Sequence, residues 1–128
     1  MELKNNQRFI GFIGFNHTDF QSDFTPCIEI GWRIGREYWG NGYATEGAKM
    51  ALAYGFNNVA FSVVYSFTSK LNLKSENVMK KIGMKKVGEF NHPNIEPFHT
   101  LSEHVLYLIK KLAANSHSLA IAMLLAIL

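Results

Sequence analysis

The chain has 128 residues and a mass of 14.5 kDa, enough for one domain with a real core and too little for two. Hydrophobic residues make up 48% and charged residues 18%, which excludes a disordered or coiled-coil protein. The net charge of +3 is spread thinly apart from Lys80-Lys81, Lys85-Lys86 and Lys110-Lys111, so nucleic acid is not an expected partner, whereas an anionic cofactor is compatible.

The opening, Met1 to Arg8, is polar and lacks the apolar segment of a signal peptide, which makes a cytoplasmic location the expectation. Gln7 to Phe15 reads as a strand, so nearly continuous in apolar residues that a central place in the sheet is predicted. Asn16 to Pro26 is polar and reads as a hairpin-type connection. Cys27 to Ile34 alternates as a second strand. Cys27 is the single cysteine, which excludes an internal disulfide and a cysteine-rich zinc site; a small apolar role suits it better than a nucleophilic one.

The stretch from Arg36 to Gly47 follows that strand and opens a helical pattern from about Tyr43 to Asn57, with small or apolar residues at Ala44, Ala48, Ala51, Leu52, Gly55 and Phe56. An asparagine at Asn57 or Asn58 suits the left-handed cap conformation. Strand, glycine turn and helix start together suggest a phosphate-bearing cofactor held by main-chain N–H groups rather than by lysines. The spacing leaves open which cofactor.

Val59 to Thr68 is β-branched and aromatic and predicts a third strand. Ser69 to Asn72 turns, and Leu73 to Ile82 reads as a short helix capped by Asn72 and ended by Gly83. Met84 to Phe90 is another strand, Asn91 to Pro97 a loop, and Glu103 to Ile109 the last strand. The order β–β–α–β–α–β–β is that of a mixed α/β (α+β) sheet. His92, His99 and His104 lack the spacing of a zinc set, so no metal is expected, and there is no Gly-x-Ser-x-Gly hydrolase elbow. The tail from Leu112 to Leu128 ends in an uncharged apolar run. A membrane span needs about 20 such residues, so packing on the domain or on a partner is expected, with a small tail anchor as the alternative.

Taken together these segments resemble the GNAT N-acetyltransferases, and in particular their RimJ/RimL-like branch. The resemblance runs from about Phe9 to Lys111. Glu29-Ile-Gly-Trp-Arg-Ile34 with Trp39-Gly-Asn-Gly-Tyr-Ala44 and Glu46 is similar to the branch's cofactor strand, pyrophosphate loop and helix start. Ser66-Phe-Thr68, Asn72-Leu-Lys-Ser75 and Val78 to Met84 resemble its next strand and helix, and Phe90-Asn-His-Pro93 with His104-Val-Leu-Tyr107 its closing segments. The family's loop runs Gln/Arg-x-x-Gly-x-Gly/Ala; here Gly42 and Ala44 fit the small positions while Trp39 stands at the first, as is common in this branch.

The resemblance implies an acetyl-CoA-dependent N-acetyltransferase that passes acetyl directly to a primary amine, either a protein N-terminus or a small molecule. It implies that Cys27–Ile34 splays from Val59–Thr68 and that the pantetheine arm pairs with backbone at Trp32, Arg33 and Ile34. The pyrophosphate would take amides of Trp39, Gly40, Asn41, Gly42, Tyr43, Ala44 and Thr45, with Asn72 contacting the pantetheine or capping its helix. Glu29 would act as base through a water, or simply face solvent. Met79 stands where many relatives carry a proton-donating tyrosine. Ser75 fits the branch's serine, as acid for the thiolate or as a capping hydroxyl.

The family's fold usually begins with a strand, two helices and another strand that wall the acceptor site, and the expectation is an N-terminally truncated domain over 1–111 plus an apolar tail over 112–128. The alternative is a catalytically impaired CoA-binding or assembly module from a truncated or split gene. A sheet without those helices would expose apolar surface and an edge, which predicts a homodimer or larger assembly.

Overall fold

The computed structural model describes residues 9–111. The apolar tail from Leu112 and the polar opening through Arg8 lie outside the described residues. The elements, in chain order, are β1 (Gly11–Thr18), β2 (Cys27–Ile34), a short 3-10 turn (Arg36–Tyr38), α1 (Tyr43–Asn58), β3 (Val63–Ser69), α2 (Leu73–Lys81), β4 (Lys85–Asn91) and β5 (Glu103–Lys110). They form a five-stranded sheet in the order β1-β2-β3-β5-β4. Only β2 and β3 run parallel; the other pairs are antiparallel. The expected mixed α/β order is therefore the observed one.

Both helices pack on one face of the sheet. Ile30 on β2, Val64 on β3, Val105 and Tyr107 on β5, Ala48 and Leu52 on α1, and Met79 on α2 share one buried cluster. The period-2 alternation of the strands puts these residues on the helix side, and the i, i+4, i+7 spacing of Ala48, Leu52 and Gly55 turns α1 toward them. Gly55 is required by close approach, because a Cβ there would stand 2.8 Å from the Phe61 ring. The opposite face carries packed rings of Phe20, Phe24, Phe67, Phe90, His92 and His104.

Several boundaries differ from the sequence reading. The first strand extends past Phe15: Asn16, His17 and Thr18 pair with Glu29, Ile28 and Cys27, so the polar end belongs to the strand, while Gln7 and Arg8 of the expected start lie outside the described residues. Nor is that strand central. Among the described residues β1 borders the sheet, with Phe12 exposed on one face and Phe15 against Phe61 on the other. Its apolar run reflects two partly covered faces, not burial between strands.

The third strand starts at Val63 because Val59 and Phe61 both donate N–H to the Gly55 carbonyl and so finish α1. The left-handed residue there is Ala60 (φ 65), not an asparagine; Asn57 instead donates its side-chain amide to the Ala53 carbonyl. At α2 the reading holds. Asn72 Oδ1 accepts the Ser75 N–H at 3.1 Å, and Gly83 (φ +92) follows the last turn. No helix among the described residues is long and apolar enough to cross a membrane.

Candidate functional site

The site begins where β2 leaves β3. The two strands share a single register pair, Glu29 with Tyr65, and beyond it the Ser66 hydroxyl donates to the Ile30 carbonyl at 2.9 Å. Among the described residues, the β2 backbone after Ile30 therefore has no strand on that side. In an antiparallel ladder only alternate residues exchange hydrogen bonds with the neighbour. Gly35 donates to Ile10 at 2.8 Å, which puts Gly35, Arg33 and Gly31 in register with β1 and aims the N–H and C=O of Trp32 and Ile34 at the open side. This agrees with the splay implied by the resemblance.

The chain then turns through Arg36–Tyr38 into α1. Trp39 Nε1 donates to the Ile34 carbonyl at 2.8 Å, which fastens the loop to the end of β2. Gly40 (φ +84) and Gly42 (φ +77) adopt left-handed backbone, and a Cβ at either would meet nothing within 4 Å. A backbone that needs glycine for its conformation thus also presents a surface clear of side chains. Gly42 is the N-cap of α1, whose first ladder bond is Glu46 N–H to Gly42 C=O at 2.9 Å. The first-turn amides of Tyr43, Ala44 and Thr45 consequently have no helical acceptor and lie at the positive end of the helix.

These residues line a cavity of about 540 Å³ whose far wall is α2. Of the residues singled out from sequence, Trp32, Arg33, Ile34, Trp39, Gly40, Gly42, Tyr43, Ala44, Thr45, Asn72 and Ser75 all line it. Asn41 does not. Its side-chain amide donates to the Tyr38 carbonyl at 3.1 Å and so holds the loop. The Trp39 N–H is also spent, on the Arg36 carbonyl at 3.1 Å, so the open run of amides starts at Gly40.

Glu29 is not in the cavity either. Its side chain lies on the face of the sheet opposite the helices, where Thr18 Oγ1 donates to it at 3.0 Å. Burial raises its carboxyl above the usual range, and the Thr18 bond opposes that rise. Glu29 and Ser75 thus flank the splay from opposite faces of the sheet.

The sequence reading missed Tyr38, Lys74, Asn77, Val78 and Lys81, which complete the lining. The expectation of an anion cradle without lysines is therefore incomplete. Lys74, Val78 and Lys81 stand at i, i+4 and i+7 on α2, a spacing that marks one face of a helix once Asn72 is taken as its cap. A polar cradle, a helix start and several cations together fit a ligand bearing phosphates.

The family model described as acetyltransferase (GNAT) domain matches residues 1–85. Among curated proteins, YkkB of Bacillus subtilis (strain 168) is 35% identical over 95 residues, which are 72% of this chain and 54% of that protein. The spermidine N(1)-acetyltransferase of Escherichia coli (strain K12) is 30% identical over 83 residues, 65% of this chain and 41% of that enzyme. The chain thus spans about half the length of the curated relatives it matches. A GNAT-family acetyltransferase structure from Bacillus anthracis superposes with a TM-score of 0.72 at 27% identity, covering 86% of this chain and 63% of that one. The family match over residues 1–85 and the superposition on a GNAT-family structure lead to one placement: this chain belongs to the GNAT acetyltransferase family.

Proposed function

We propose that the chain binds acetyl-CoA in the cavity between the Gly40–Thr45 amides and α2 and serves direct acetyl transfer to a primary amine, a protein N-terminus or a small molecule. The observation that carries this reading is the set of amides without helical partners at Gly40, Gly42, Tyr43, Ala44 and Thr45, residues that line a cavity of about 540 Å³. When bound, acetyl-CoA supplies an acetyl group on a thioester and a thiolate leaving group. The amides of this loop hold phosphate oxygens, and the Trp32 backbone with the Ile34 N–H aligns the pantetheine amides, the Ile34 carbonyl being held by Trp39.

The Trp32 N–H also donates to the acyl oxygen, where negative charge grows during transfer. Glu29, with its carboxyl raised by burial, takes the proton that the amine nitrogen loses as it becomes an amide, through a water. Ser75 gives a proton to the departing sulfur; its backbone N–H is already used by Asn72, while its hydroxyl makes no hydrogen bond among the described residues.

Trp39 at the first loop position and Ser75 after Asn72 favour the RimJ/RimL-like branch, and exposed Phe9 and Phe12 favour a homodimer or larger assembly that covers them. The test is thiol release from acetyl-CoA over a panel of amines and N-terminal peptides. Acceptor-dependent release supports transfer. CoA binding with no release on any acceptor favours a binding or assembly module in its place.

A further inference from the structure

Two cations approach the Trp39 indole. The Lys74 ammonium lies 4.1 Å from a ring centroid and the Arg36 guanidinium 5.6 Å. Lys74 is the closer, and apart from this ring the electrostatics of its own helix do not favour its place. It stands in the first turn of α2, where the helix dipole disfavours a positive charge, whereas Lys80 and Lys81 in the last turn suit it. No carboxylate forms an ion pair with Lys74 among the described residues. The acidic side chain of the same turn, Glu76, accepts instead from the Tyr107 hydroxyl at 2.6 Å.

Trp39 is itself fixed by its N–H bond to Ile34, so the ring is a firm platform and the lysine the movable partner. An indole face holds an ammonium less strongly than a charge-assisted hydrogen bond to phosphate does. Both groups line the cavity.

We infer that Lys74 is a phosphate-reading side chain, seated on Trp39 in the free protein and drawn onto a phosphate of the ligand when the cavity fills. The inference rests on the proposed cofactor reading and adds a specificity residue to it. Exchange of the indole for a phosphate would let the loop and α2 close on phosphate-bearing forms of the cofactor and pass over those without phosphate.

The experiment is a calorimetric titration of the full chain and of Lys74→Met, which keeps the apolar stem, with CoA, 3′-dephospho-CoA and pantetheine. The expected result is a loss of about tenfold or more in CoA affinity with pantetheine unchanged. An equal loss on dephospho-CoA assigns Lys74 to the pyrophosphate, and a loss confined to CoA assigns it to the 3′-phosphate; either supports the inference. Equal losses on all three ligands, or no loss on any, overturn it. A parent chain that binds no CoA defeats the cofactor reading itself.

In a Trp32→Phe background Trp39 is the remaining indole, since the chain has 2 tryptophans. CoA is expected to change its emission there, and adding Lys74→Met is expected to suppress the change. A change of equal size in both backgrounds overturns the exchange.

Discussion

Replacing Gly42 by alanine separates the cost of a left-handed backbone from the cost of blocking a ligand. Gly42 has φ 77 and ψ 10, and an added Cβ meets nothing within 4 Å, so the protein itself opposes the change only through conformation. That penalty is about 1–2 kcal/mol, a fall in Tm of roughly 3–12 °C for a domain of this size. Gly83 provides the matched control. It has φ +92, its Cβ would stand 3.7 Å from Ile109 Cδ1, and it lies outside the cavity.

The two variants are expected to melt alike and to bind differently. In the proposed complex a Cβ at Gly42 stands beside amides that approach phosphate oxygens, and losing two charge-assisted bonds at about 1.5–3 kcal/mol each would remove about 3 kcal/mol or more. This is about a hundredfold or more in affinity. Calorimetric titration with CoA, run beside thermal melts, reads both quantities. Gly42→Ala binding CoA within about threefold of the parent, or Gly83→Ala losing as much affinity as Gly42→Ala, would refute the reasoning.

Three further residues, Ser75, Glu29 and Tyr107, carry expected outcomes of their own. Ser75→Ala is expected to lower kcat by about 100-fold, the lower range for a lost general acid, with KM for acetyl-CoA nearly constant; an unchanged kcat assigns Ser75 to α2 alone. Because burial raises the Glu29 carboxyl, the acid limb of the kcat/KM profile should lie above the ordinary carboxylate range and vanish in Glu29→Gln. The same shift means that the ionised form is the strained one: relative to the parent, Glu29→Gln should gain stability as pH rises through the raised pKa and lose that gain in acid. Tyr107, buried and bonded to Glu76, has its phenol pushed up from 10.0 to about 12. Its contribution is intact below pH 10 and is lost as pH rises toward 12, so urea melts over that window should show the parent weakening more than Tyr107→Phe. At pH 7 the same variant should cost about 1.5–3 kcal/mol.

Much of the cavity was legible in the sequence because its parts are local. Glycines followed by a helix start, and an asparagine three residues before a first-turn amide, each fix geometry within one turn of chain. Gly42 and Asn72 behave as those rules require. What failed depends on distant partners. β1 looked central because its residues are apolar, yet the order of strands decides which apolar strand lies at the border.

Val59 to Phe61 has strand composition and was captured by the Gly55 carbonyl at the end of α1, where tertiary packing of Phe61 against Gly55 outweighs β propensity. Lys74 and Lys81 join the site only because the other wall of the cavity, folded from residues some thirty positions earlier, is set opposite them. Glu29 shows the converse. Its strand position was read correctly, but which face it occupied relative to Ser75 required the sheet.

A crystal of the chain soaked with CoA decides whether the Gly40–Thr45 loop is a pyrophosphate site. Pyrophosphate oxygens are expected on the amides between Gly40 and Thr45, pantetheine along the open Trp32–Ile34 backbone, and the sulfur on the side of Ser75. CoA bound elsewhere, or a fully soaked crystal with the Gly40–Thr45 amides facing solvent alone, would contradict it.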